Sequence, residues 1–85
     1  MNTIEFYELA TEVAKNRGYL KPSISTSSTC YNGDIYHSCD LFDHKKDKLI
    51  RSGLHKNPIA SIEAFKDAID YNNKTYDDYI ESIEE

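Results

Sequence analysis

Residues 29–39 read "TCYNGDIYHSC", two cysteines and a histidine around an Asn-Gly pair. Asn32-Gly33 is the strongest short hairpin signal, because a two-residue type I′ turn needs positive φ at both of its central positions. The flanking stretches contain many Thr, Tyr and Ile residues, which suit strands. We therefore predict antiparallel strands over residues 23–31 and 34–43.

The turn also fixes the predicted pairing. If Tyr31 faces Asp34, the numbers of opposed residues sum to 65, and Cys30 and Cys39 lie four pairing steps apart. At about 3.4 Å per residue this separation is roughly 13 Å, whereas a disulfide needs Cα atoms within about 7 Å. The sequence therefore predicts two free thiols, and we expect both to be small buried side chains, as free cysteines commonly are.

The same stretch is the only one that resembles a reactive or metal-binding site. The spacing of Cys30, His37, Cys39 and His44 matches none of the usual zinc patterns. Cysteine catalysis needs a base in contact with the thiol and an oxyanion hole, and nothing Gly-rich or helix-initial lies beside either cysteine. We expect His37 to be a hydrogen-bonded core histidine. We predict no metal, no cofactor, no catalytic residue and no enzymatic activity.

The pairing divides the hairpin into two faces. One face carries Ile24 and Leu41 and is expected to receive the helices. The other face is polar but includes aromatic side chains, and exposed aromatics on an open sheet can mark a binding surface. The alternative is that cross-strand aromatic pairs only stabilise the sheet. The candidate protein-binding residues on this face are Tyr31, Tyr36, Asp40 and Phe42.

Before and after the hairpin, the sequence predicts a helix and a third strand. Asn2 and Glu5 form a capping box, and Gly18 is suited to the left-handed position that closes a helix. After the hairpin, "HKKD" predicts a turn and "KLIRSG" a short strand. Its register stays open, because a slip of one residue exchanges Leu49 and Ile50 between the two faces.

The C-terminal part predicts two further helices. Asn57 and Pro58 start the first, Asn72-Asn73 ends it, and a capping box from Thr75 starts the second. The predicted fold class is α+β with the order αβββαα: a helix, a three-stranded antiparallel β-meander and two C-terminal helices, with the helices packed on one sheet face. A length of 85 residues predicts one compact domain over residues 1–85.

Charge is unevenly distributed along the chain. The net charge is −5, and residues 44–57 carry five Lys or Arg against one Asp, so the segments before and after them are acidic. An acidic chain suits a basic protein partner better than nucleic acid, because phosphate contacts need clustered cations. The candidate residues in the acidic C-terminal helix are Asp77, Asp78 and Glu81. Without a membrane-spanning apolar run or a signal peptide, a cytoplasmic location is expected.

In size, acidity and element order, the chain resembles small phage-encoded inhibitors of bacterial defence, especially acidic anti-CRISPR proteins that block CRISPR nucleases. The resemblance lies in an opening helix through Val13, strands around Asn32-Gly33 and "HKKD", and helices from Pro58 and Tyr76. It implies a protein-binding inhibitor in the cytoplasm of a bacterial host. Its partner would be a basic protein, such as a CRISPR nuclease, whose nucleic-acid groove it occupies.

The alternative function is a nucleic-acid-binding module in which the sheet aromatics Tyr36 and Phe42 stack on bases. Its candidate phosphate-binding residues are Lys45, Lys46, Lys48 and Arg51. The sequence is compatible with a monomer or a dimer, because an exposed third strand can pair with a second copy.

Overall fold

The computed structural model describes the backbone of residues 1–84 and the side chains of residues 1–74. The elements are α1 (Thr3–Lys15), β1 (Ser23–Tyr31), β2 (Asp34–Asp43), β3 (Lys48–Arg51) and α2 (Pro58–Glu84). The strands form one antiparallel sheet in the order β1-β2-β3, and both helices pack against it. The predicted α+β class and the three-stranded meander are confirmed.

Both ends of α1 are closed as the sequence predicts. Asn2 Oδ1 accepts a hydrogen bond from the Glu5 N–H, and Asn2 Nδ2 donates to Glu5 Oε1, both at 2.8 Å. At the other end Gly18 has a φ of 99°, and the N–H groups of Gly18 and Tyr19 donate to carbonyl oxygens in the last helical turn. This is the Schellman arrangement, in which glycine reverses the chain at little steric cost.

The hairpin of β1 and β2 has the predicted bounds and the predicted register. Tyr31 lies opposite Asp34, and the pairing continues without a slip along all nine residues of β1. Asn32 and Gly33 have φ angles of 51° and 83°, as a type I′ turn requires. The turn residues therefore determine which side chains share a face of the sheet.

The two cysteines are both free, as predicted, but only one of them is buried. Cys39 is fully enclosed, whereas Cys30 is exposed. The prediction of a buried Cys30 is wrong because every residue from 27 to 35 is exposed. The hairpin end of the sheet thus lies outside the region that the helices cover.

The structure settles the register of β3. Ile50 lies opposite Leu41 and is 4% exposed, while Leu49 lies opposite Phe42 and is 42% exposed. The chain after β3 continues to cover the edge of β2, since the N–H of Ser52 donates to a β2 carbonyl. Further along, His55 exchanges backbone hydrogen bonds with a β2 residue, His37.

The C-terminal part differs from the prediction of two helices, because α2 is one helix that continues through Asn72, Asn73 and Thr75. Asparagine ends a helix when its side chain bonds to nearby backbone. Here the Asn72 amide donates to Asp43 Oδ2 at 3.4 Å, and Asn73 Oδ1 lies 3.3 Å from the Tyr19 hydroxyl, whose single hydrogen it shares with Asp43. Because these tertiary partners engage both side chains, the helix is not interrupted.

One apolar core lies between the helices and the sheet. It includes Leu41 and Cys39 of β2 and Ile50 of β3, so the helices pack on the predicted aliphatic face. None of the described helices is long and apolar enough to cross a membrane. The buried apolar side chains among the described residues are Phe6, Ala10, Val13, Ala14, Cys39, Leu41, Ile50, Ile62, Phe65 and Ile69.

Candidate functional site

The outer face is the side of the sheet turned away from the core. By the register it carries alternate residues of β1 and β2 and the residues opposite them on β3. None of its side chains is buried. Its members are Ser23, Ser25, Ser27, Thr29, Tyr31, Asp34, Tyr36, Ser38, Asp40, Phe42, Leu49 and Arg51.

The aromatic residues of the outer face form two separate patches. Tyr31 is 64% exposed and lies diagonally across the hairpin from the half-buried Tyr36, a position about 7–8 Å away between Cα atoms. At the other end, the half-buried Phe42 lies opposite Leu49. Six residue steps of extended strand, about 20 Å, separate Tyr36 from Phe42. The structure therefore does not gather the three predicted aromatics into one cluster.

A hydroxyl-rich band with one carboxylate lies between the two patches. Ser27 Oγ and Ser38 Oγ are 2.7 Å apart and share a hydrogen bond across the strands. Asp40 lies between β1 and β3, with its Oδ1 3.7 Å from Arg51 Nε. At the hairpin end, Asp34 pairs with the exposed Lys56 at 3.4 Å.

The side chains of Asp77, Asp78 and Glu81 lie outside the described residues. Exposed carboxylates do occur on the described parts of both helices. The set comprises Glu5, Glu8, Glu12, Glu63, Asp67 and Asp70.

The structure separates the four predicted phosphate-binding cations into two groups. Lys45 and Lys46 line a cleft at the end of the sheet, whereas Lys48 and Arg51 do not contribute to its walls. Arg51 instead pairs with Asp40 on the outer face. The basic segment of the sequence is therefore not one basic surface.

The cleft has a volume of about 550 Å³ and is formed by the loop 17–23, residues 42–46 and Asn73 of α2. Its walls include the cations Arg17 and Lys21 from the loop, which join Lys45 and Lys46. We call this space, with its four cations, the basic cleft.

Asp43 organises the wall of the basic cleft. Its Oδ1 accepts hydrogen bonds from the backbone N–H groups of Lys45 and Lys46, at 3.1 and 3.3 Å. Its Oδ2 accepts from the Tyr19 hydroxyl at 2.9 Å and from the Asn72 amide at 3.4 Å. Asp43 is 5% exposed. Because its four donors come from the α1–β1 loop, the β2–β3 turn and α2, this buried carboxylate joins the three segments.

These contacts shift the pKa values of Asp43 and Tyr19. Burial alone would raise the pKa of Asp43, but the hydrogen bonds from Tyr19 and from the N–H groups of Lys46 and Lys45 hold it below its ordinary value. Burial, the hydrogen bond to Asp43 and the charge of that carboxylate raise the pKa of Tyr19 to about 12. Asp43 is therefore ionised and Tyr19 neutral at pH 7, which fixes Tyr19 as the donor.

The sulfur and imidazole groups have structural contacts. Cys39 Sγ lies 3.5 Å from Ser61 Oγ, and burial raises the pKa of the Cys39 thiol. Half-buried His37 shares a hydrogen bond with Ser28 at 2.9 Å and packs edge-on against Phe6. Among residues whose side chains are described, no group of His, Cys, Asp and Glu is arranged to hold a metal ion.

The sequence does not identify Arg17 and Lys21 as part of a basic surface, because both precede the hairpin and lie outside the basic segment 44–57. A signal for Lys21 was nevertheless present. If the sum of 65 is continued past Ser23, it places Lys21 beside His44, and Ser23 Oγ does lie 2.9 Å from His44 Nε2. Arg17 had no comparable signal, because its position depends on how α1 packs.

Comparison with known proteins leaves the function to be inferred from this geometry. No family model matches the chain, and no curated protein or solved structure shows significant similarity to it.

Proposed function

We propose that this chain is a small protein-binding inhibitor that docks through the outer face onto a basic, nucleic-acid-binding surface of its partner. A bacterial defence nuclease, such as a CRISPR nuclease, is the partner class that the resemblance indicates. The observation that carries the proposal is an outer face without a single buried side chain. A patch with aromatic side chains lies at each of its ends, and aromatic residues are enriched at protein interfaces.

The dimensions of the outer face suit a protein partner. β1 and β2 contain nine and ten residues, and strands of this length extend about 30 Å. A standard interface buries about 800 Å² on each partner, so a docked protein would contact both aromatic patches and the band between them. Tyr31 and Tyr36 would act as anchors, because tyrosine offers a large contact area with few rotatable bonds.

Charge favours a basic partner. The chain has a net charge of −5, and complementary net charge accelerates association. On the outer face, Asp34 and Asp40 have exposed ion partners at 3.4 and 3.7 Å. Exposed ion pairs contribute little free energy, so cations of a partner can replace Lys56 and Arg51 at small cost.

The experiment is affinity capture of the tagged chain from nuclease-treated bacterial lysate, followed by identification of the bound proteins. We expect a basic nucleic-acid-binding protein that is released at high salt. Tyr31→Ser combined with Tyr36→Ser should reduce its recovery by about tenfold or more, as loss of an aromatic anchor commonly does. The purified partner should lose nucleic-acid binding or cleavage when the wild-type chain is added at equal concentration.

Tyr7→Ser is the matched control, since Tyr7 is 45% exposed but belongs to α1. This variant should capture the partner as the wild type does. Circular dichroism should show that all variants are folded. Recovery that is equal for the wild type and the double variant would contradict the proposal, as would recovery of nucleic acid alone when the nuclease is omitted.

A second candidate is the nucleic-acid-binding module. Lys45 and Lys46 support it, because they line the basic cleft together with the aromatic Phe42. Lys48 and Arg51 lie outside the cleft, which reduces the number of phosphate contacts available there. Capture without nuclease treatment distinguishes the two candidates, since the first predicts a basic protein among the bound molecules, whereas the second predicts nucleic acid without a protein partner.

A further inference from the structure

We propose that the basic cleft binds a nucleotide, that is, a phosphate ester with an attached planar base, either free or within a single strand. The proposal does not depend on the function of the outer face. The cleft and the outer face share Ser23 and Phe42 at one end of the sheet, but the candidate residues Tyr31, Tyr36 and Asp40 are not part of the cleft.

The charge of the cleft favours an anion. Arg17, Lys21, Lys45 and Lys46 line it, and Asp43 is the single carboxylate among the described lining residues. The oxygens of Asp43 already accept four hydrogen bonds within the protein. The Asp43 carboxylate is therefore directed into the fold, while the cations border the open space.

Two of the cations are available for a ligand. Lys21 and Lys45 are exposed, and neither forms an ion pair with a described side chain. Lysine binds phosphate as a mobile point charge with three donors. Two lysines that line the same cleft can therefore both donate to one phosphate group.

The other two cations are held by the fold. Arg17 donates through Nε to Asp70 Oδ1 at 2.8 Å and through Nη1 to the Val13 carbonyl. Lys46 Nζ donates to the Asn72 carbonyl at 2.8 Å. Fixed side chains of this kind lose little conformational entropy on binding, so they can orient a ligand that the mobile lysines attract.

The apolar part of the cleft favours a planar group rather than phosphate alone. The rings of Phe42 and His44 meet edge to face with centroids 4.7 Å apart, and Leu20, which also lines the cleft, is 87% exposed. Bases stack on aromatic side chains without strong preference for sequence. The volume of about 550 Å³ is within the range of pockets that bind small molecules, about 300–1,000 Å³.

The test is a titration of ¹⁵N-labelled protein, followed by NMR, with inorganic phosphate, adenosine 5′-monophosphate and a six-residue single-stranded oligonucleotide. The nucleotide should shift amide signals in residues 17–23 and 42–46. It should bind about tenfold more tightly than inorganic phosphate, since stacking of one base contributes roughly 5- to 150-fold. Tighter binding of the oligonucleotide identifies a strand as the source of the phosphate, and equal binding identifies a free nucleotide.

Lys21→Gln combined with Lys45→Gln should weaken nucleotide binding by about tenfold or more, because each lysine contributes a charged hydrogen bond. The matched control is Lys48→Gln combined with Lys56→Gln, which removes the same charge from exposed positions outside the cleft. The control should bind within about twofold of the wild type, as expected for general charge effects at physiological salt.

Three results would overturn the proposal. The first is the absence of signal shifts in the cleft at millimolar nucleotide. The second is equal affinity for inorganic phosphate and nucleotide, which would mean that the apolar wall contributes nothing. The third is equal weakening by the two double variants, which would indicate nonspecific attraction. None of these results affects capture of a protein by the outer face, so the two proposals can fail separately.

Discussion

At the residue scale, the side chain of Asp43 connects three separate segments of the fold through hydrogen bonds. It ends β2, accepts hydrogen bonds from the second and third residues that follow it, and also accepts from Tyr19 and Asn72. Its sequence context, a carboxylate before "HKKD", predicts only a turn. The contacts with Tyr19 and Asn72 come from distant segments, so no local pattern contains them.

We predict that Asp43→Asn lowers the free energy of unfolding by about 2 kcal/mol at pH 7, because a buried charged acceptor of several hydrogen bonds is lost. The effect should depend on pH. The pKa of Asp43 is lower in the folded protein than in the unfolded chain. Its contribution is therefore complete above the unfolded value, near pH 4, and is lost as the pH falls through the folded value. Urea unfolding of wild type and variant from pH 7 to pH 3 measures this difference.

Asp67→Asn is the control for this prediction, since Asp67 is an exposed carboxylate on α2. Its stability should differ little from that of the wild type at any pH in this range. A difference between wild type and Asp43→Asn that stays constant down to pH 3 would contradict the assignment of the effect to an ionised Asp43.

At the scale of elements, the turn of the hairpin explains why the sequence predicts the bounds and the register of β1 and β2. Asn32 and Gly33 both adopt positive φ, and with that turn the facing of every residue in β1 and β2 follows by counting. The prediction that the helix ends at Asn72-Asn73 is wrong, because that feature depends on tertiary contacts and not on local sequence. Helix ends depend on what a polar side chain bonds, and here the partners are Asp43 and Tyr19.

We predict that Asn32→Ala lowers the free energy of unfolding by about 1 kcal/mol, whereas Asn32→Gly changes it little. The φ of 51° at residue 32 places a β-carbon in the left-handed region, which costs roughly 1–2 kcal/mol for most residues and nothing for glycine. Asparagine tolerates this region better than alanine does. Chemical denaturation of the three proteins measures both differences.

The comparison of alanine with glycine contains its own control, because both substitutions remove the same side-chain amide. Equal destabilisation by the two would mean that the amide, rather than the backbone angle, stabilises the turn. That result would contradict the type I′ explanation of the register.

At the scale of the whole molecule, the basic segment of the sequence and the basic surface of the structure are different sets of residues. Residues 44–57 carry a net charge of +4, yet only part of that charge borders the cleft. In the folded protein, Arg17 and Lys21 line the cleft, whereas Lys48 and Arg51 do not. Sequence counts therefore predict that a basic region exists but not its composition, since packing of α1 and the strand register decide it.

The whole molecule also depends on a small core. A domain of this length is stabilised by about 4–13 kcal/mol, at 0.05–0.15 kcal/mol per residue. Ile69 of α2 is fully buried in the core, whereas Ile59 of the same helix is 50% exposed. We predict that Ile69→Ala lowers the free energy of unfolding by about 2–5 kcal/mol, because it removes apolar contacts and leaves a cavity.

Ile59→Ala is the matched control, with the same atoms removed from the same helix. It should cost less than about 1 kcal/mol, because alanine has a higher helix propensity and the isoleucine is half in solvent. Urea unfolding should be monitored by circular dichroism for the helices and by the amide NMR signals of β1 and β2 for the sheet. Coincident transitions for Ile69→Ala would show that α2 and the sheet unfold together. Equal losses for the two variants, or a sheet signal that survives after the helices unfold, would contradict a core shared by all elements.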